Sequence, residues 1–461
     1  MANITIIGAG GYVFPLRLAG DILSHAALRD CTLTLMDIDP ARLEQTTRSV
    51  TELIKYHGLP AQVRSTLHQR EALRDADYVI VTFQVGGLEA YRLDVEIPRS
   101  YGVDQTVGDT LGPGGVMRFL RSAVVFEQIA ADMLELCPNA LLLNYANPMA
   151  MNCSLLSHFK VKTVGLCHSV QNTTHMLAAH LGIPHEELRF KSAGINHQAW
   201  LLELHHRGRD VYPQVREIMR REHLERHQQR ELHPDTGDHS SPQHFTVYEG
   251  GQERVRTSLM DVFGYFHTES SHHASEYLPY FRKDPAMALE FIPERWDYLQ
   301  ICSAHDEGDL ENLLTVLKTE LTSSLEYGST IINAIETGVP VVIHGNVPNT
   351  GLITNLPEGC CVEVACLVDG DGVQPTHVGA LPPQLAALNR TNIGVQELAL
   401  EAALKKDVQH VYHAIALDPL TAALLTLEQI KQMTAELLSA QAEWLPMFDA
   451  PRPAPLLLAA D

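Results

Sequence analysis

Short apolar runs that alternate with helix-like segments constrain the fold of this chain more than any other feature. The runs are residues 3–8, 33–36, 78–83, 140–144 and 163–166. Strands that are joined by helices rather than by hairpin turns predict a parallel sheet with helices on both faces, an α/β fold. Ligands bind such sheets beyond the carboxyl ends of the strands. Asp37, Gln84, Asn147 and Cys167 lie at or just past those ends.

The pattern changes beyond about residue 190. Helical periodicity dominates residues 306–335 and 395–442, and strand-like pieces at 339–347 and 360–367 lie between them. We therefore predict two domains, a parallel α/β domain over residues 1–190 and a mixed α+β domain over residues 191–461. The polar stretch 219–245 is typical of a solvated helix and loop, with a metal-binding histidine tract as the alternative.

The charge balance excludes several classes of function. The 461 residues include 56 acids and 34 bases, a formal net charge of -22, so no basic face is available for nucleic acid or for an anionic membrane. No run of apolar residues is long enough to span a bilayer, and no secretory signal is apparent. Eight cysteines are too sparse for a disulfide scaffold, which favours a cytoplasmic protein with reduced thiols.

A glycine-rich turn follows the first strand and precedes the first helix. In Gly8-Ala-Gly10-Gly11 the first glycine permits a tight turn, and the second lets the backbone approach a pyrophosphate at the helix N-terminus. Val13 stands where the common pattern has a third glycine. Asp37 ends the second strand, where a carboxylate binds both ribose hydroxyls, so the motif predicts NAD rather than NADP. Gln84, past the third run, is a further candidate for contact with this cofactor.

Several polar motifs are unlike ordinary core sequence. Cys167-His168 ends a strand, and His197 follows about thirty residues later in Gly-Ile-Asn-His. Together they indicate either a soft site for a divalent metal or a Cys–His catalytic pair, and the residues alone do not choose between these. Asn147 ends the preceding strand and is a candidate ligand for substrate hydroxyls. Asp109, in a glycine-rich loop, is a candidate base, ribose partner or metal orienter.

Two further features are more ambiguous. Arg92 begins Arg-Leu-Asp-Val-Glu-Ile-Pro and is either a surface ion-pair residue or an anion clamp for the substrate. Residues 269–280 combine acids, imidazoles and phenols, a composition that fits a pocket wall or an amphipathic turn.

This combination of motifs resembles glycoside hydrolase family 4, and within it the α-galactosidase branch. The resemblance runs almost from end to end. It covers residues 6–11, 35–40, 109–115, 144–152, 165–170, 193–197, 265–280 and 351–369. It implies an N-terminal Rossmann-like domain that binds NAD+ and a C-terminal domain like that of lactate dehydrogenase, which carries the substrate, metal and oligomerisation surfaces.

The resemblance implies a redox–elimination route instead of the usual pair of carboxylates. NAD+ takes hydride from C3 of the sugar, a base removes the acidified C2 proton, the aglycone leaves, water adds and the hydride returns. A divalent metal, Mn2+ or another such ion, acts as a Lewis acid on the C2 and C3 oxygens. Cys167 and His197 match the family's metal ligands, Tyr277 its base, His168 its acid toward the leaving oxygen, and Asn147 a substrate ligand.

The substrate class stays open in the sequence. Overall similarity favours a neutral α-galactoside. However, the first loop carries Arg17 where galactosidases usually have a different pattern, and Arg92 resembles an arginine of branches that act on anionic sugars. An α-glycoside with an anionic C6, such as a sulfoquinovoside, glucuronide or galacturonide, is therefore the alternative.

Two other classes remain possible on the residues alone. One is a plain NAD-dependent sugar or hydroxyacid dehydrogenase, and the other is a non-catalytic nucleotide sensor. The family further implies a homodimer or homotetramer, for which the helices of 306–335 and 395–442 are candidate interface pieces.

Overall fold

The computed structural model describes residues 1–11, 13–232, 253–293, 295–304 and 307–448. The predicted polar stretch 219–245 is described only to residue 232, where a helix ends, and its remainder lies outside the described residues. Among the helices of the described ranges, none is both long enough and apolar enough to cross a bilayer.

The chain alternates strands and helices in its first half and mixes them less regularly in its second. The strands are β1 Asn3–Ile7, β2 Thr32–Met36, β3 Gln62–Thr66, β4 Tyr78–Val81, β5 Leu141–Asn144, β6 Thr163–Leu166, β7 Leu188–Ile195, β8 Gln198–His206, β9 Arg209–Asp210, β10 Phe266–His267, β11 Val341–Pro348, β12 Cys361–Asp369 and β13 Gly372–Pro375. The helices are α1 Phe14–Ser24, α2 Pro40–His57, α3 Gln69–Leu73, α4 Gly87–Ser100, α5 Gly112–Leu136, α6 Met149–His158, α7 Ser169–Leu181, α8 Tyr212–Leu232, α9 Arg254–Phe263, α10 Ser271–Ala274, α11 Pro285–Phe291, α12 Tyr298–Ala304, α13 Glu307–Thr319, α14 Tyr327–Thr337, α15 Pro383–Lys405, α16 Val408–Leu417, α17 Pro419–Leu424 and α18 Leu427–Ala440.

Local sequence signals explain the bounds of individual helices. In α2, Pro40 occupies the first turn, where its missing N–H costs nothing, and Asp39 caps the helix by accepting from the amides of Ala41 and Arg42. The helix ends at Gly58, whose φ of 62° lies in the left-handed region that terminates helices. A proline start and a glycine stop therefore fix this element from the sequence.

All strands of the described residues join one sheet. Its order is β10-β8-β7-β12-β11-β6-β5-β4-β1-β2-β3, with β13 on β12 and β9 on β8. The six neighbouring strands β6, β5, β4, β1, β2 and β3 are parallel, which confirms the predicted α/β fold with a Rossmann-like first half. The strand β11 pairs antiparallel with β6 and continues the same sheet into the strands of the second half.

Helices cover both faces of the parallel part. On one face α1, α2, α13 and α14 pack together, and on the other α4, α5, α6, α15 and α18 do so. Phe119 and Phe126 of α5 are fully buried in the second layer, and Leu16 and Ile22 of α1 in the first. Burial on both faces explains the nearly continuous apolar character of strands such as Tyr78–Val81.

Three arginines surround Asp104, which lies just before the glycine-rich loop that carries Asp109. Its carboxylate pairs with Arg99 at 3.0 Å, Arg282 at 3.2 Å and Arg295 at 2.8 Å. Burial alone would raise the pKa of Asp104, but hydrogen bonding to Arg295 and the three positive charges outweigh it and lower the pKa to about 2. The cluster thus fixes the chain where it enters the loop.

This cluster predicts a pH-dependent contribution to stability. Because the pKa of Asp104 is lower in the folded than in the unfolded chain, its stabilisation is present above pH ~4 and is lost as the pH falls toward 2. We expect Asp104→Asn to lower the free energy of unfolding by about 2 kcal/mol at neutral pH and by less in acid. Urea titrations at neutral and acid pH measure this. Glu135→Gln, at an exposed ion pair with Arg70, is the control and should change stability less; equal losses at both pH values would contradict the assignment.

Candidate active site

The glycine turn after β1 forms a tight pocket edge next to Asp37. Gly8 has a φ of 91°, and a Cβ there would lie only 2.6 Å from the backbone nitrogen of Phe83. The amide of Gly10 donates to Asp37 Oδ2 at 2.8 Å, and a Cβ at Gly10 would meet the same carboxylate at 2.8 Å. Helix α1 begins behind this turn with Val13 at its N-cap, which provides no side-chain cap. The N-terminus of α1 therefore has no side-chain cap and follows a turn that is held next to a carboxylate, as dinucleotide binding requires.

Arg118 joins the ends of β4 and β5. This residue of the second turn of α5 donates through Nη2 to Gln84 Oε1 at 2.9 Å and through Nε to the carbonyl oxygen of Asn147 at 3.3 Å. Both predicted residues thus lie on one wall of the site, beyond their strands. Arg118 itself escaped the sequence analysis because it lies inside a helical run with no local motif.

A thiol, an imidazole and a carboxylate meet where three chain segments converge. Cys167 follows β6, His197 lies in the turn between β7 and β8 with a φ of 59°, and Glu269 follows β10. One ligand atom from each lies within 4.8 Å of the others, and all three side chains are buried. His197 Nε2 is 3.5 Å from Glu269 Oε2. This N, S and O donor set fits a divalent transition metal.

Hydrogen bonds assign the tautomer of His197. Thr110 donates its hydroxyl proton to Asp109 Oδ1 at 2.7 Å, and its Oγ1 also lies 3.0 Å from His197 Nδ1. Since the single hydroxyl proton is already used, Nδ1–H must be the donor in the second contact. The lone pair of His197 therefore lies on Nε2, which faces Glu269 and the thiol, as a metal ligand needs.

The charges of the cluster also suit a cation. Burial, with the nearby carboxylates of Glu363 and Glu269, raises the pKa of the Cys167 thiol well above its usual value. Burial also lowers the pKa of His197, which favours the neutral form of the imidazole. Burial would raise the pKa of Glu269, but the imidazoles of His273 and His197 outweigh it and bring the pKa to about 2. A bound cation would replace the thiol proton and compensate the carboxylate.

Asp109 connects this cluster to Asn147. Its Oδ2 accepts from Asn147 Nδ2 at 2.9 Å, and its Oδ1 accepts from Thr110. Burial would raise the pKa of Asp109, but the charge of Arg118, the His273 and His197 imidazoles in their protonated forms and the Thr110 hydrogen bond lower it. Asp109 is therefore an ionised, buried carboxylate that orients one amide and, through Thr110, one imidazole.

Tyr277 places its phenol against the same imidazole. Its hydroxyl lies 3.3 Å from His197 Nδ1, and its side chain is 1% exposed. Burial, together with the carboxylates of Asp109, Glu276 and Glu269, raises the pKa of the phenol well above its usual value. A positive charge in the neighbouring cluster is therefore required before this phenol can act as a base near neutral pH.

His168 is more open than its neighbour Cys167. Its side chain is 48% exposed, and Nδ1 lies 3.4 Å from Glu326 Oε1. Burial of part of the ring would lower its pKa, but the hydrogen bond and charge of Glu326 outweigh this and raise it. The raised pKa favours the protonated form of the imidazole, which at this partly exposed position fits an acid toward a leaving group.

The two arginines considered for an anionic substrate are placed differently. Arg92 is exposed on α4, and Arg17 is half-buried on α1, where its charge acts on Asp21. In the part of the chain that the structure describes, neither side chain has an ion pair or hydrogen bond with the cluster of Cys167, His197 and Glu269.

Glu269 is the residue of this cluster that the sequence analysis did not single out. Its only signal was its membership of the acid-, histidine- and tyrosine-rich segment 269–280. That segment is one wall of the site: Ser270 caps α10, and Tyr277 follows at its end.

The fold and this cluster define a class of enzyme that joins a dinucleotide-binding sheet to a buried N, S and O site. The family models agree. Residues 3–183 match the model of "Family 4 glycosyl hydrolase", and residues 192–421 match that of "Family 4 glycosyl hydrolase C-terminal domain". The chain is 40% identical to an α-galactosidase of Bacillus subtilis, an alignment that covers 97% of this chain and 100% of the relative.

Two further relatives extend the comparison. An α-galactosidase of Rhizobium meliloti is 36% identical over 97% of this chain and 89% of its own length. An α-galacturonidase of Bacillus subtilis is 30% identical over 91% of this chain and 93% of its own length. The chain therefore belongs to family 4 of the glycosyl hydrolases, and it is a glycoside hydrolase.

Solved structures share the fold. A 6-phospho-α-glucosidase from gut microorganisms, determined in complex with NAD and Mn2+, superimposes with a TM-score of 0.78 at 19% identity, over 97% of this chain and 99% of that one. Its likeness supports the architecture described above.

Proposed function

We propose that this enzyme is an NAD+- and divalent-metal-dependent α-galactosidase that cleaves its substrate by oxidation and elimination. The observation that carries the proposal is the contact of Tyr277 with His197, which itself faces Cys167 and Glu269. A base next to a cation site is what abstraction of a weakly acidic C–H requires. The family membership and the two α-galactosidase relatives support it.

The glycine turn and Asp37 would hold the dinucleotide. NAD+, when bound, supplies a hydride acceptor for C3 of the sugar. Gly8 and Gly10 let the turn pack closely against Phe83 and Asp37, the N-terminus of α1 would then face the pyrophosphate, and Asp37 would accept from ribose hydroxyls. Gln84, oriented by Arg118, forms the next part of the wall, toward the sugar.

The cluster of Cys167, His197 and Glu269 would hold the metal. A divalent cation such as Mn2+, when bound, supplies Lewis-acid stabilisation of charge on the C2 and C3 oxygens. Tyr277 takes the C2 proton, and His168 gives a proton to the leaving oxygen. Asn147 and Asp109 orient the sugar hydroxyls. Arg92 and Arg17 remain candidates for binding an anionic C6 group. Hydrolysis of a C6-anionic α-glycoside is therefore a second candidate function, which the α-galacturonidase relative supports.

A hydrolysis panel tests this proposal. We expect p-nitrophenyl α-galactoside to be cleaved faster than the matching α-glucoside, α-glucuronide, α-galacturonide and α-sulfoquinovoside, with NAD+, Mn2+ and a thiol reductant present. Since the hydride returns to the sugar, catalytic NAD+ should suffice and no net NADH should accumulate. Omission of Mn2+ or addition of a chelator is the control and should abolish the rate.

Each other result has a definite meaning. Faster cleavage of a C6-anionic glycoside would favour the second candidate function over the α-galactosidase. Stoichiometric formation of NADH without release of p-nitrophenol would replace the hydrolase by a dehydrogenase. Hydrolysis that needs neither NAD+ nor metal would exclude the oxidation and elimination route.

We further propose a cytoplasmic homodimer or homotetramer that binds no nucleic acid. All eight cysteines are free, which suits a reducing compartment, and the net charge of -22 disfavours phosphate backbones. Sedimentation of the purified enzyme tests the oligomeric state.

A further inference from the structure

Glu276 directly precedes Tyr277, yet its side chain points away from the metal cluster and into the glycine-rich loop. The carboxylate is 1% exposed. It accepts hydrogen bonds from the backbone amides of Val107 at 2.8 Å and Gly108 at 3.0 Å and from the Thr106 hydroxyl at 2.7 Å. The amide of Thr106 also donates to it. Successive backbone amides that converge on one oxygen pair form an anion nest, here filled by a side chain of the chain itself.

The loop that Glu276 binds carries the polar groups of the site. Gly108 is followed by Asp109, which holds Asn147, and by Thr110, which contacts His197. Glu276 thus links two segments that are far apart in the sequence. One segment carries Tyr277, the proposed base. The other carries the groups that orient the His197 imidazole and the side-chain amide of Asn147.

The opposite side of Tyr277 is also fixed. Its carbonyl oxygen accepts from Asn392 Nδ2 at 3.3 Å, and the same amide group donates to Gln198 Oε1 at 2.7 Å. Gln198 follows His197 in the chain. Tyr277 and His197 are therefore bridged from α15, while Glu276 bridges Tyr277 to the loop 105–110.

We propose that Glu276 is a positioning residue that sets the placement of the Tyr277 phenol relative to Asp109 and His197 by binding the backbone of residues 106–108. This inference rests on the proposed role of Tyr277 in removing the C2 proton. Glu276 does not touch the substrate. Its loss should impair proton removal at C2 more than hydride transfer at C3, because the loop groups and the base move apart while the NAD-binding turn lies elsewhere.

Two measurements on Glu276→Gln test the proposal, with Asp21→Asn as the matched control. Asp21 is likewise a fully buried carboxylate that accepts a backbone amide and a hydroxyl, but both come from Ser324, so its loss disturbs the segment next to Glu326 and not the loop 105–110. The first measurement is amide hydrogen exchange of the peptide that covers residues 104–111. We expect exchange in Glu276→Gln to be roughly tenfold faster and in Asp21→Asn to be unchanged, since three amides lose their charged acceptor.

The second measurement is the rate of hydrolysis with substrates deuterated at C2 or at C3. We expect kcat of Glu276→Gln to fall about 100-fold, in line with the cost of misplacing a reacting group by about 1 Å. The C2 isotope effect should rise relative to the C3 effect, and the NAD+ requirement should stay within about twofold because the NAD-binding contacts are intact. Asp21→Asn should lose stability without a change in either isotope effect.

The outcomes separate the two proposals. Unchanged exchange in the loop peptide would overturn the role of Glu276, whatever the rates are. Faster exchange with unaltered isotope effects would show that Glu276 supports only the loop structure, and it would likewise overturn the positioning role. If the wild-type enzyme hydrolysed no glycoside while Glu276→Gln still speeded exchange in residues 104–111, the proposed function would be wrong. Only the contact between Glu276 and the loop would then be supported.

Discussion

Replacing Cys167 by serine should abolish hydrolysis while leaving NAD+ binding intact. A deprotonated thiol gives the metal an anionic ligand, and a serine hydroxyl, which stays protonated, does not, so we expect Mn2+ affinity to fall about 100-fold and kcat/KM to fall at least as far. The dinucleotide contacts at Gly10 and Asp37 do not involve this residue. Mn2+ titration, NAD+ titration and the hydrolysis rate measure the three quantities separately.

Cys137→Ser is the matched control. Cys137 is also buried, but it caps the end of α5 away from the cluster, so its loss should leave metal affinity and rate nearly unchanged. The experiment also chooses between the two interpretations of Cys167 that the residues alone left open. A catalytic nucleophile would lose activity on substitution and keep Mn2+ affinity, whereas a metal ligand must lose both.

Tyr277→Phe should lower kcat strongly, because it removes the hydroxyl of the proposed base and keeps the aromatic ring. The phenyl ring fills the same buried space, and general-base catalysis contributes about 10²–10⁴-fold, so a loss of that size is expected with little change in stability. Exchange of the C2 hydrogen with solvent deuterium should disappear. Oxidation at C3 does not need the phenol, so near-ultraviolet absorbance of reduced nicotinamide should appear on mixing, without release of the aglycone.

Tyr280→Phe provides the comparison three residues further along. Tyr280 is 43% exposed and packs against Phe263 and Phe281, outside the cluster, so its loss should leave both C2 exchange and rate close to those of the wild type. C2 exchange that persists in Tyr277→Phe would assign the proton to another group, with Asp109 the nearest carboxylate of the site to examine.

The parts of the fold that are encoded locally were predictable. The five predicted strands of the first half are all present, because each is an apolar run buried on both faces. The strand β3 was missed, because Gln62–Thr66 lies at the sheet edge with mostly exposed residues and has no apolar signature. The strand-like pieces at 339–347 and 360–367 exist as β11 and β12, but their pairing onto β6 depends on partners far away in the sequence.

The site shows the same division. The structure brings Cys167, His197, Asp109, Asn147 and Tyr277 into one connected group, which their positions at strand ends and in distinctive motifs made predictable. Their chemical roles stay predictions.

The residues that the sequence analysis overlooked lack such signals. Glu269 and Glu276 belong to a segment rich in many polar types, and Arg118 looks like any helical arginine. Their importance arises from contacts with chain segments on other elements, and no local pattern records those contacts.

The antiparallel pairing of β11 with β6 has a consequence for synthesis of the chain. Leu166 and Gly165, next to Cys167, bond to Gly345 and Asn346. While a ribosome makes the protein, β6 emerges long before β11, so the nascent first half presents an open strand edge with unpaired backbone groups. The Cys167 thiol therefore begins beside an aggregation-prone edge. Only β11 and β12, from the second half of the chain, close that edge and connect β7 to it, so Cys167, His197 and Glu269 cannot come together before both strands have been made.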